Sequence, residues 1–176
     1  MPDIKPKIAD LVGRLALIVE SASRLEAFRS VRLQPGRPAS ADEILAYERY
    51  LGRRLPESYR AFLELHNGYK GLLLTGDMLS IQEVVPDGRR YTAIQNWKRS
   101  SVRYGLGEVL DGIVIGSKGQ ANMWVFLDPN RPSAENELTL VEWDPSASLE
   151  FPTLMAFFER EITSHQNVIA LVGRRR

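Results

Sequence analysis

Apolar residues recur at three- and four-residue steps through the first thirty positions. Ile4, Ile8, Leu11, Val12, Leu15, Ile18, Val19, Leu25 and Phe28 fall on this spacing, which predicts helix over 4–29. Ser21 and Ser23 weaken its middle, so one helix or two fits the pattern. Two prolines and a glycine in 31–39 predict a linker. Ser40 and Glu43 then form a capping box, and Ile44, Tyr47 and Leu51 follow on one helical face up to the stop signal Gly52. Leu55-Pro56 opens a second helix, since proline suits the first helical position. Tyr59, Phe62, Leu63 and His66 make its stripe, and Asn67-Gly68 closes it.

Beyond Gly68 the period changes. Residues 71–75 and 78–85 read as strands joined at Gly76-Asp77. Residues 90–100 read as a helix. Residues 113–117, 122–127 and 138–143 read as three further strands, the first two separated by Gly119 and the last two by Asp128-Pro129-Asn130 and a polar stretch. Asp144-Pro145 stops the last strand. Residues 151–163 return to helical spacing, with Leu154, Phe157, Phe158 and Ile162 inward, and 164–176 read as a tail. Helices, then strands, then a helix predict an α+β fold with a mostly antiparallel central sheet. Tyr59, Phe62, Leu63, Leu154, Phe157 and Phe158 are the expected core.

Composition narrows the function. The chain has 176 residues, 44% hydrophobic and 26% charged, which is a globular balance. Lys+Arg of 23 against Asp+Glu of 22 gives a net charge of +1, so no global field draws in nucleic acid or membrane. There is no cysteine, which removes disulfides, thiolate metal sites and cysteine nucleophiles. No apolar run approaches the roughly 20 residues of a membrane span, and charges interrupt the N-terminus where a secretory signal would be apolar. A cytoplasmic location is the resulting expectation.

A search for catalytic groups finds little. His66 sits in a last helical turn, where packing or a dipole contact is the ordinary role, and His165 lies near the C-terminus. Gly105, Gly107 and Gly112 miss the dinucleotide-binding spacing, and Gly116-Ser117-Lys118-Gly119 lacks the first glycine of a phosphate loop. Asp128 and Asp144 each precede a proline, a turn pairing, and two isolated aspartates do not make a cation site. The short basic pairs, Arg53-Arg54 among them, read as solvated surface. No enzyme, cofactor or metal is expected.

Function is then expected in a surface. Along 122–127, Met123, Val125 and Leu127 point to one side, and Trp124 and Phe126 to the other. Either a second layer, the N-terminal extension or the 90–100 helix, covers that second side, or a partner does. Exposed aromatics are favoured interface anchors. The candidate partner-binding residues are Trp97, Tyr104, Trp124 and Trp143, with Glu142 and Asp144 as polar companions. Trp143 shares a strand face with Val141, which also suits the core. If these aromatics are buried, the charged loops 86–90 and 129–137 are the next candidates.

The segment SADEILAYERYLGRRLPESYRAFLELHNGYKG, Ser40 to Gly71, resembles the opening motif of the SUKH superfamily, which includes the yeast cell-wall-assembly regulator and many bacterial immunity proteins. Ile113–Gly116, Trp124–Asp128, Val141–Asp144 and Phe151–Ile162 resemble its later strands and closing helix. The likeness spans about residues 38–163, with 1–37 as a helical extension and 164–176 as a tail. It implies an α+β fold with helices packed on a central sheet and no catalytic residues. It also implies a protein partner, a cognate toxin domain that the chain neutralises or, in the alternative, a target of a scaffold or regulatory module. Direct contact with nucleic acid or membrane is not expected.

Overall fold

The computed structural model describes residues 4–102, 107–119, 123–134, 136–144 and 147–173. Helix α1 (Ile4–Ala22) buries Ile8, Leu11, Val12, Leu15, Val19 and Ala22 along one stripe, the face its sequence period marks. It is one helix, and beyond it residues Glu26–Phe28 make only a 3-10 turn. The expected linker carries a two-residue strand, β1 (Gln34–Pro35). Helix α2 (Ala41–Leu51) starts on the expected capping box: Ser40 Oγ accepts from Glu43 N at 3.2 Å, and Glu43 Oε2 accepts from Ser40 N at 2.8 Å. Gly52 ends it in the left-handed conformation.

Helix α3 (Glu57–Leu65) buries Ser58, Tyr59, Ala61, Phe62 and Leu63. It ends at an extended His66, earlier than Asn67-Gly68 suggested. Gly68 carries the positive φ, +84°, and a Cβ there would lie 2.8 Å from Ser80 N. Gly36 faces the same turn, where a Cβ would meet Asn67 O at 2.2 Å. The two glycines let the chain before α2 and the chain after α3 press together.

The stretch 69–85 corrects the sequence reading. Strands β2 (Tyr69–Lys70) and β3 (Gly76–Met78) are short, and residues 71–75 form the turn between them. Gly76-Asp77, expected as a turn, lies in β3. Residues 81–84, expected as strand, form helix α4 (Ile81–Val84), which starts on a second capping box made by Ser80 and Glu83. Asn67 ties α4 down: its Oδ1 accepts from Ile81 N, and its Nδ2 donates to Gln82, both at 2.9 Å.

Helix α5 (Tyr91–Val102) follows, then strands β4 (Ile113–Lys118), β5 (Met123–Ala134), β6 (Glu137–Asp144) and β7 (Ala147–Phe151), and helix α6 (Leu154–Gly173). β5 runs past Asp128-Pro129 with an irregular register, so the expected break there is a distortion within one strand. β7 replaces the expected stop after β6, and the expected tail is helical through Gly173. Among the described residues, seven strands form one antiparallel meander in the order β1 to β7.

The sheet has two covered faces. Trp124 pairs with Trp143 and Phe126 with Val141 across β5 and β6, so these four share a face, and Trp97 of α5 packs on it. The opposite face meets α6 through Phe151 and Phe157, and α3 joins α6 through Phe62 and Phe158. All six expected core residues are fully buried. α1 belongs to the same apolar cluster, with Ile8 and Leu15 fully buried.

Candidate partner-binding surface

The three tryptophan candidates are core, which corrects the expectation that they form an exposed aromatic surface. Trp97, Trp124 and Trp143 are 6%, 4% and 9% exposed. The ring of Trp97 lies 5.7 Å from Trp124, 5.7 Å from Phe126 and 5.5 Å from Trp143. Strand alternation had placed Trp124 and Phe126 on one side correctly, and α5 is the layer that covers them. Tyr104 lies outside the described residues. Asp144 is half-buried at the end of β6.

Glu142 points to the other face, into a buried charge network. Lys118 Nζ bridges Glu142 Oε1 and Glu161 Oε1, both at 2.9 Å. His165 Nε2 is 3.2 Å from Glu161 Oε2, an ion-pair distance without the alignment of a hydrogen bond. Lys118 also lies 5.9 Å above the Phe157 ring. Burial alone would raise the Glu161 carboxyl. His165 and the Lys118 charge outweigh it and hold the group below its ordinary value. Buried charges persist when paired in this way, and the network ties β4 and β6 to α6. Sequence reasoning weighed Lys118 only within a glycine turn and His165 only as a residue near the C-terminus, and passed over Glu161. The i,i+4 spacing of Glu161 and His165 was the available signal.

The charged loops hold the remaining candidates. In 129–137, Arg131 pairs with Asp128 at 2.9 Å and Glu150 at 3.0 Å. At the tip of the β5–β6 hairpin, Asn136 and Glu137 reach back to α3. Asn136 O accepts from Glu57 N at 3.0 Å. The Glu137 carboxylate accepts from Ser58 N at 2.8 Å and Ser58 Oγ at 2.6 Å. Helix α3 therefore lacks a capping side chain of its own at Pro56 and receives one from the sheet. Burial raises the Glu137 carboxyl above its ordinary value, against the hydrogen bonds from Ser58.

A cleft of about 500 Å³ opens beside this contact, between the α2–α3 turn and the β5–β6 hairpin. Glu48 and Arg60 form an ion pair at 3.1 Å on its wall, and Glu48 Oε1 also accepts from Leu55 N at 3.0 Å. Arg53 and Arg54 are exposed on its rim, and their side chains have no partner among the described residues. In loop 86–90, Arg89 is held by Glu83, while Arg90 turns to another cleft.

His66 is a packing residue. It stacks edge-on against Tyr69 at 5.0 Å. Burial lowers its pKa, opposed by a hydrogen bond with the Gly36 backbone. No group of histidine or carboxylate side chains among the described residues is arranged to hold a metal ion. No described helix is long and apolar enough to cross a membrane.

Residues 38–160 match the SMI1 / KNR4 family (SUKH-1). The chain belongs to that family. The match takes in the capped helical hairpin, strands β2 to β7 and the first part of α6, and leaves α1 and β1 outside. No curated protein matches the chain.

Proposed function

We propose that this chain is a non-catalytic protein-binding domain, an immunity protein that neutralises a cognate bacterial toxin in the cytoplasm. The observation that carries this reading is SUKH-1 membership over residues 38–160. Supporting it, several polar groups inside the fold are committed to structure: Glu137 caps α3, Asn67 holds α4, and Lys118 joins β4 and β6 to α6. Two arginines whose side chains have no partner among the described residues, Arg53 and Arg54, lie instead on the rim of an open cleft.

The test is protection. Toxin domains encoded beside the gene are expressed with and without the chain, and growth is measured. Rescue by one of them, with a stable complex on size exclusion, is the expected result. Binding to host proteins with no protection from any toxin would overturn the immunity reading in favour of a scaffold or regulatory module.

A further inference from the structure

A second cleft, of about 610 Å³, lies on the far side of β2 and β3, where the segment after α1 crosses the ends of β3 and β4. Three cations line it: Arg32, Lys70 and Arg90. None of them has an acidic partner among the described residues. Arg32 is held in place by donating to the carbonyls of Arg29 and Val31, at 2.5 and 2.9 Å. Among the described residues, the cleft's one lining carboxylate is Asp77, and its Oδ1 accepts from Gly71 N at 2.8 Å. The local balance is thus three cations to one engaged carboxylate, on a molecule whose net charge is only +1.

We propose that this cleft binds a carboxylate-rich segment of the partner protein, with Arg32, Lys70 and Arg90 pairing to its aspartate or glutamate side chains. This deepens the protein-binding reading and rests on it. Charge complementarity selects the anion, since like-charged surfaces would be repelled here. The lining selects a peptide over a nucleic acid. Phe28, Val31 and Leu74 contribute apolar surface that aliphatic side chains of a peptide would cover. Three cations on a near-neutral chain offer no extended track for a phosphate backbone.

The experiment uses the full chain and three probes: a synthetic peptide alternating Asp and Glu with Leu, its Asn/Gln counterpart, and a ten-residue oligothymidine. Amide NMR shifts of Gly71, Gly76 and Gly119, which line the cleft, report occupancy. The acidic peptide should move these three signals, the neutral one should not, and added salt should weaken the effect. The R32E/K70E/R90E variant should lose roughly tenfold in affinity, the scale of three exposed charge pairs acting together. R32E/K70E, which alters the two most exposed positions, should show the same direction if the triple variant melts early. Unmoved glycine signals, equal affinity of the variants, or stronger binding of the oligonucleotide would each overturn the proposal. A toxin that binds the triple variant as tightly as the native chain sinks this cleft alone. A chain that binds no protein sinks the wider reading, and the peptide titration still judges the cleft.

Discussion

Single residues at the turns carry much of the fold's definition. Gly68 combines a φ of +84° with a Cβ position 2.8 Å from a backbone nitrogen. Gly68→Val adds left-handed strain to a clash that no flexible side chain can relieve, and should cost about 2 kcal/mol or more. A urea melt with an unchanged midpoint would refute it. Glu43 works through charge. The hydrogen bond from Arg37, followed by that from the Ser40 backbone, outweighs the cost of burial and brings its carboxyl down from 4.5 to about 2. A carboxyl depressed in the folded state binds fewer protons than in the unfolded one. Its stabilising contribution is present above pH 4.5 and fades as pH falls toward 2. Glu161 has the same sign. Glu43→Gln should flatten the loss of stability across that acid window, and thermal melts between about pH 5 and 2 would read it. A variant as acid-sensitive as the native chain would exclude Glu43 as a contributor.

Elements show what sequence pattern can and cannot reach. Helices α2 and α3 were legible because a capping box, a glycine stop and an apolar stripe agree locally. β4, β6 and the first part of β5 were legible as short apolar or alternating runs bounded by turn residues. β2 and β3 were not, since two or three residues cannot display a period of two. Helix α4 was hidden because it has only four residues and the β-branched Ile81, Val84 and Val85 favour strand, although their i, i+3, i+4 spacing is helical and Ser80 and Glu83 repeat the spacing of Ser40 and Glu43. The aromatic surface failed for a different reason. Alternation fixes which side Trp124 faces, but only tertiary packing says that Trp97 covers it. The α3 cap was equally out of reach, because Glu137 arrives from 79 positions away. Glu137→Ala leaves Ser58 N and Oγ without their acceptor. It should cost about 0.5–2 kcal/mol, the usual scale of a lost helix cap, and speed hydrogen exchange at Ser58. Unaltered protection there would mean that the contact adds nothing.

At the scale of the whole molecule, the family match and the physical core have different limits. The match begins at residue 38, yet α1 supplies Ile8, Leu11, Val12, Leu15 and Val19 to the interior. It packs beside α6, where Val19 and Ala22 meet Leu74, Val168 and Ile169. Lys5 adds an ion pair to Glu64 of α3 at 3.1 Å, a surface contact of small value. The apolar contacts decide the matter. Each fully buried aliphatic side chain is worth about 1.5–3 kcal/mol, and a whole domain is stable by only about 5–15 kcal/mol. Five such side chains withdrawn together amount to a loss on the scale of the total. Removing residues 1–37 should therefore leave a chain that binds a hydrophobic dye, loses its cooperative melt and aggregates. The same truncation exposes the surfaces of α3 and α6 on which α1 packs. Circular dichroism and a thermal melt of residues 38–176 beside the full chain make the comparison. A truncated chain that melts cooperatively within a few degrees of the full one would show that α1 is an accessory to a self-sufficient SUKH-1 core.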